Sequence, residues 1–447
     1  MNKKKWALVI LCGLLIIGYI KLFYKTYSET GVAKSADSIV AIDVKRITNT
    51  IIWQNITKPS LWKISSGAAE TDKASWEDMI EIPDYILAFH ASGQPANAWY
   101  GILKIKDDSA FAKGIQQQHF EKIDSTIYVS KKVGLQFYKN GNNILLTAAS
   151  VESNSLTKIA NELFLQKNHI SKTDLAKVID AKSHVALKLN RNIFLQKDAI
   201  FTANFDADKI TIEGNVISKK EFTFTENKFY CNTNSLLALG FTQPSANVLA
   251  LLNDSNKVNI SKAINVNIDS LMLPTNKWYS LDVADIKPRA DSAITYTYDD
   301  DFNKVEKVVV NNIEEPVFNL TIYGDSVSNI YNNWIFNNTL EKTNAGYLFT
   351  PIPFVKSYCN IEEEKILNVT GNNYEITTIG KSITAIFFMN SPLSKMPASL
   401  LKYAPTGIAK AMSNFEKIEV VVKKNEHGAF LSAIITKKKN DKPIWEF

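Results

Sequence analysis

Asn97-Ala-Trp-Tyr-Gly-Ile-Leu-Lys-Ile-Lys106 alternates side chains as a half-buried strand does, and Asp107-Asp-Ser109 then opens a helical stretch to about His119. Asp and Ser suit a helix start because their side-chain oxygens accept the free N–H groups of the first turn. Much later, Val317-Phe-Asn-Leu-Thr-Ile-Tyr323 alternates similarly, and Gly324-Asp-Ser326 opens a helix to about Asn337. The parallel continues on the far side of each helix. Phe120–Ile123 and Thr126–Val129 match Leu340–Thr343 and Gly346–Thr350, while Val133–Tyr138 and Ile144–Ala148 match Phe354–Cys359 and Ile366–Thr370.

Working outward, Val185–Leu189 corresponds to Ile383–Phe388. The hairpin of Phe201–Phe205 and Lys209–Ile217 corresponds to that of Phe415–Lys423 and Ala429–Thr436. At the front, Ser38–Asp43 followed by Val44–Ile52 echoes Val248–Asn253 followed by Val258–Ile264. This shared order predicts a duplication. The expected fold class is α+β: an N-terminal transmembrane helix, then two tandem repeats of an antiparallel sheet with packed helices. The boundaries expected are 1–30 for a cytoplasmic stub and anchor, 31–230 for the first repeat and 231–447 for the second.

The anchor expectation rests on Lys3, Lys4 and Lys5 before an apolar run from Trp6 to Ile20, extended past Lys21 by Leu22, Phe23 and Tyr24. Trp6 to Tyr24 would span about 28 Å as a helix, enough to cross a bilayer core. Lys21 can snorkel, and Trp6 and Tyr24 stand where an aromatic belt would. A cleaved signal peptide competes, but Lys21–Lys25 stands where a small-x-small site belongs, and Ala33-Lys-Ser35 is too distant. Lys3, Lys4 and Lys5 favour an inside start, although Lys21, Lys25 and Lys34 lie on the other flank. With a Lys- and Asn-rich, Arg-poor composition like that of an AT-rich bacterial genome, the expected place is a bacterial inner membrane with the C-terminal region periplasmic.

Composition narrows the function classes. With 45 % hydrophobic and 21 % charged residues the chain is built to fold, and 17 Gly with 13 Pro exclude collagen-like sequence. Three Cys are too few for a disulfide scaffold. The net charge is +6, but Arg46, Arg191 and Arg289 are the only arginines among 51 basic side chains. Without Arg's planar fork, a nucleic-acid partner is not expected.

Each group that could carry chemistry has a plainer account. Asp299, Asp301 and Asn303 alternate like the start of a calcium loop, yet Lys304 replaces its Gly and Val310 its bidentate Glu. The stretch reads as a polar turn between strands Ile294–Tyr298 and Val305–Val310. None of His90, His119, His169, His184 and His427 stands at zinc spacing from another ligand. His90, at a strand end, is the best acid–base candidate. Asp107, Asp108 and Asp325 recur before the two helices and read as caps. Cys231 and Cys359 would pair only if folding brought them together. Lys131-Lys132, Lys219-Lys220 and Lys437–Lys439 read as solvated turns. The sequons at Asn55, Asn253, Asn259, Asn319, Asn337 and Asn368 matter only in a eukaryotic secretory pathway. No catalytic, cofactor-binding or metal-ligating residue is assigned.

The lysine-flanked apolar start, Lys34-Ser-Ala-Asp-Ser-Ile-Val-Ala-Ile-Asp43 soon after it, and the long α+β region resemble uncharacterised single-pass, membrane-anchored envelope proteins of the Bacteroidota type. That resemblance implies no activity. The function expected is a membrane-tethered, extracytoplasmic binding or scaffold protein of the cell envelope. Its partners would be the bilayer, through Trp6 to Tyr24, and an unidentified envelope protein or lipid. Two alternatives are an envelope hydrolase using carboxylates with His90, and a lipid carrier in which Ile383–Met389 lines an apolar cavity.

Overall fold

The computed structural model describes residues 24–57, 76–192, 194–220, 222, 224–232, 234–244, 254–264, 266–272, 275–298, 302–352, 355–371, 374, 381–396 and 414–438. The chain divides into two compact units, the second beginning at Ser218.

The first unit opens with β1 (Ala36–Asp43), α1 (Val44–Thr57), α2 (Trp76–Met79), β2 (Ile80–Glu81), β3 (Tyr85–Ala91) and β4 (Trp99–Ile105). It continues through α3 (Asp108–Gln117), β5 (Glu121–Lys122), β6 (Ile127–Ser130), β7 (Leu135–Asn140) and β8 (Asn143–Ala148). Then come α4 (Ser153–Ala160), α5 (Lys172–Ile179), β9 (Val185–Leu189), β10 (Ala199–Phe205) and β11 (Lys209–Ile217). All pairings are antiparallel, in the order β11-β10-β9-β1-β3-β4-β8-β7-β6-β5, with β2 beside β4. The helices cover this sheet because their apolar faces need it. Leu156, Ile159 and Ala160 of α4 and Leu175 and Val178 of α5 are buried with Ile39, Phe89 and Tyr100 of the strands. Phe111 of α3 packs with Phe137, Ile144 and Met79 in a second cluster.

The second unit contains β12 (Asn227–Cys231), β13 (Leu237–Thr242), α6 (Asp254–Ile264), α7 (Ile268–Leu271), β14 (Asn276–Tyr298) and β15 (Lys304–Gly324). After these come α8 (Val327–Phe336), β16 (Leu340–Thr343), β17 (Gly346–Phe349), β18 (Ser357–Glu362) and β19 (Ile366–Gly371). The last strands are β20 (Lys381–Ala385), β21 (Phe387–Ser391), β22 (Phe415–Asn425) and β23 (Gly428–Lys437). Its main sheet runs β23-β22-β21-β13-β14-β15-β19-β18-β17-β16, again antiparallel. β12 and β20 form a separate two-stranded ribbon. Val327, Ile330 and Trp334 of α8 are buried against Phe318, Leu367 and Val369 of the sheet.

Two expectations are corrected. The first concerns the membrane. No helix among the described residues is long and apolar enough to cross one. Their longest, α1, has 14 residues, or about 21 Å, and carries Lys45 and Arg46. A transmembrane anchor and a single-pass inner-membrane location therefore receive no support. The apolar run that suggested them lies, apart from Tyr24, outside the described residues.

The second concerns the fold class. Instead of a transmembrane helix followed by two tandem repeats of a sheet with packed helices, the protein is dominated by large antiparallel sheet. Strand makes up 49 % of the described residues and helix 22 %. Alternation identifies any half-buried strand but not its length. In the first unit β3 and β4 have 7 residues each, whereas in the second β14 has 23 and β15 has 21.

Candidate functional site

The groups singled out by sequence are held structurally. His90 lies in β3 with its ring 14 % exposed. Its Nδ1 meets Asp37 Oδ1 at 2.8 Å, and its Nε2 meets the carbonyls of Gln94 and Pro95 at 3.2 and 3.1 Å. With acceptors on both nitrogens, the imidazolium form fits best. Burial opposes that charge, but the Asp37 hydrogen bond and charge, helped by the two carbonyls, hold the pKa above its usual value. Neither nitrogen is left for a substrate, and the ring fastens the 94–95 loop to β1 and β3.

Asp107 caps α3, accepting from Ser109 Oγ at 2.6 Å and Ala110 N–H at 2.8 Å, and these bonds lower its pKa. Asp108 pairs with Lys139 at 3.0 Å. Asp325 differs, because α8 is capped by Ser326 and receives no side-chain hydrogen bond there. Asp299 and Asp301 lie outside the described residues, among which no group of three or more His, Cys, Asp or Glu is placed to hold a metal. Cys359 is a free, buried thiol whose pKa burial pushes up to about 12. Cys231 stands opposite Lys381 in the β12–β20 ribbon. His184 is buried, and burial lowers its pKa despite the Asn204 bond.

A different place gathers binding chemistry. The run Ile383–Phe388, which alternates as one strand, is broken at Ile386. Its first part joins β12 as β20, while its second joins β13 and β22 as β21. Ile386 N–H donates to Val422 O at 2.7 Å, fixing the break. The resulting cavity of about 370 Å³ is lined from β20 by Lys381, Ile383 and Thr384. Phe388 and Asn390 of β21, with Glu419 and Val421 of β22, line it from the sheet.

Register decides what faces this space. Phe388 stands between Gly240 and Val421, and Asn390 between Ala238 and Glu419. Gly240 is required, since a Cβ there would come within 2.2 Å of the Phe388 ring and 2.8 Å of Phe229. Phe388 in turn packs on Phe229 with centroids 5.2 Å apart. Asn390 is 5 % exposed, and neither its Oδ1 nor its Nδ2 has a hydrogen-bond partner among the described residues. Such an amide costs about 1–3 kcal/mol, so an unsatisfied one in a cavity wall calls for explanation.

Charge completes the picture. Lys417 and Glu419 pair at 2.9 Å, while Lys381 and Lys423 also line the cavity and have no ion pair among the described residues. Three lysines against one glutamate leave the lining positive. The apolar surface of Ile383, Phe388, Met389 and Val421 beside an amide and lysines is able to bind a molecule with one apolar and one anionic end. Sequence offered one clue, an Asn at a position whose alternation places it beside Phe388. The run Ile383–Met389 reads in sequence as a cavity lining, but as a single strand; its division into two walls, one of them β20, had no local signal. No family model, curated protein or solved structure matches the chain.

Proposed function

We propose that the protein is a non-catalytic binding protein and that the cavity between β20 and β21–β22 holds a small amphiphilic anion, such as a medium-chain carboxylate. The unpartnered amide of Asn390 carries this reading. A ligand oxygen can take the Nδ2 donor, and a ligand or water donor can take Oδ1. Lys381 and Lys423 supply the charge that favours an anion, and Ile383, Phe388 and Val421 supply apolar surface for its chain. Polar residues within an otherwise apolar lining set orientation as well as affinity. The hydrolase alternative has less to stand on, because both nitrogens of His90 are engaged.

The test is thermal unfolding of the full chain with octanoate and with octanol as its neutral counterpart. At tenfold excess over Kd, a ligand specific for the native state adds about 1.4 kcal/mol, or roughly 3–5 °C. Octanoate is expected to raise the midpoint, octanol to do so less, and Asn390→Leu to remove the octanoate effect. An octanoate shift that persists in Asn390→Leu would place binding elsewhere, and the absence of any shift would overturn the reading.

A further inference from the structure

β14 and β15 pair with each other far beyond the points where either meets another strand. β13 reaches only Trp278–Val283 of β14, and β19 only Asn319–Tyr323 of β15. From Asp285 to Tyr298 and from Lys304 to Val317, the two strands keep one unbroken register with each other and pair with no further strand among the described residues. Fourteen residues at about 3.3 Å make an arm of roughly 46 Å. A two-stranded ribbon alone is marginally stable in water and leaves both edges open.

The two faces of the arm differ. Residues directly opposite in antiparallel strands share a face. On one face the successive pairs are Pro288/Glu314, Ser292/Val310, Ile294/Val308 and Tyr296/Glu306, with Ala290 between the first two and Lys304 beyond the last. Ile294, Tyr296, Val308 and Val310 are 60, 57, 62 and 62 % exposed there. The opposite face carries Lys287, Arg289, Thr295, Thr297, Lys307 and Glu315 with Ile313, Val309 and Val305, but there Ile313 and Val309 are half-buried, Glu315 is buried and Val305 is only 37 % exposed. Near its base the opposite face is held, since the Lys356 N–H donates to Glu315 Oε1 at 3.1 Å, so it is the exposed apolar side chains of the first face that need a cover.

We propose that the cover is the same face of a second copy of this chain, with the two arms antiparallel about a two-fold axis. Passing the axis between the Ser292/Val310 and Ile294/Val308 pairs sets these four residues against their counterparts. It also sets Tyr296 against Ala290. At the ends, Lys304 of each copy reaches the level of Glu314 of the other. Both side chains are exposed and neither has an ion pair among the described residues; Lys304 Nζ rests 4.0 Å from the centroid of its own Tyr296 ring, which holds it on this face. The face is thus self-complementary in charge, as an isologous dimer contact requires. It offers about 350 Å² per copy, below the roughly 800 Å² typical of stable complexes, so the dimer is reversible.

Sedimentation equilibrium of the full chain from low micromolar to several hundred micromolar tests this. Wild type is expected to self-associate, less strongly at high salt. Lys304→Glu and Glu314→Lys are each expected to weaken association about tenfold, and the double swap to restore it within about threefold. Val308→Asp, at an exposed position, is expected to abolish association with circular dichroism and unfolding midpoint unchanged. A chain that remains monomeric throughout overturns the proposal, as does a dimer that ignores Val308→Asp or is not rescued by the double swap.

Discussion

Lys188 Nζ lies 3.1 Å from Asp198 Oδ2 although the lysine side chain is only 2 % exposed. The buried ammonium also meets Asn190 Oδ1 at 2.6 Å, and Asn190 Nδ2 donates to Ala36 O at 2.9 Å. Asp198 Oδ1 accepts from the Arg191 N–H at 3.0 Å. One charge thereby joins β9, the start of β1 and the turn before β10.

Removing one member of that pair strands the other. Asp198→Ala is expected to destabilise the first unit by about 2–4 kcal/mol, because the buried Lys188 loses its nearest counter-charge. Lys188→Met is expected to cost less, since the partly exposed Asp198 can return to water. Urea unfolding of both variants checks the order, and equal losses would contradict it.

His90 makes stability depend on pH. Its folded-state pKa is raised above the unfolded value near 6.5, so its contribution is complete below that value and is lost as pH rises through the folded pKa. Wild type should therefore hold an advantage over Asp37→Asn at pH 6 that shrinks towards pH 8. His184, with a lowered pKa, has the opposite sign and loses stability on acidification. Because Asp37→Asn leaves His184 in place, the difference between the two unfolding curves isolates His90.

Asn390→Leu separates function from stability. Replacing an unpartnered buried amide with an apolar group of similar volume should raise stability by about 1–2 kcal/mol. The same change should remove octanoate binding. A variant that is less stable than wild type would show that Asn390 supports the fold itself.

Cys359 should resist modification. The residue is 4 % exposed, and burial raises its pKa to about 12, leaving almost no thiolate at pH 8. Iodoacetamide labelling followed by peptide mass spectrometry should leave Cys359 unmodified in the native protein and label it in urea. Fast native labelling would mean that β18 opens readily.

Local signals placed many of the elements. Alternation over Asn97–Lys106 marked β4, and Asp107 marked the start of α3, because capping is settled by atoms two or three residues apart. Asp325 gave the same signal and does not cap, since α8 starts after Ser326. The strands on either side of residues 299–303 were visible as Ile294–Tyr298 and Val305–Val310. Their extension to 23 and 21 residues was not, because Pro288 and Pro316 both read as strand ends.

By itself, then, the sequence determined where half-buried strands and capped helices form, and that the chain has no arginine-rich surface. Periodicity and capping act over a few residues and survive any tertiary arrangement. Only the tertiary structure decided that Ile383–Phe388 divides between two sheets and that Asn390 faces a cavity without a partner among the described residues. It also decided that His90 spends both nitrogens on Asp37 and the 94–95 loop. Those outcomes depend on contacts between residues distant in sequence, where register, not local pattern, selects which side chains meet.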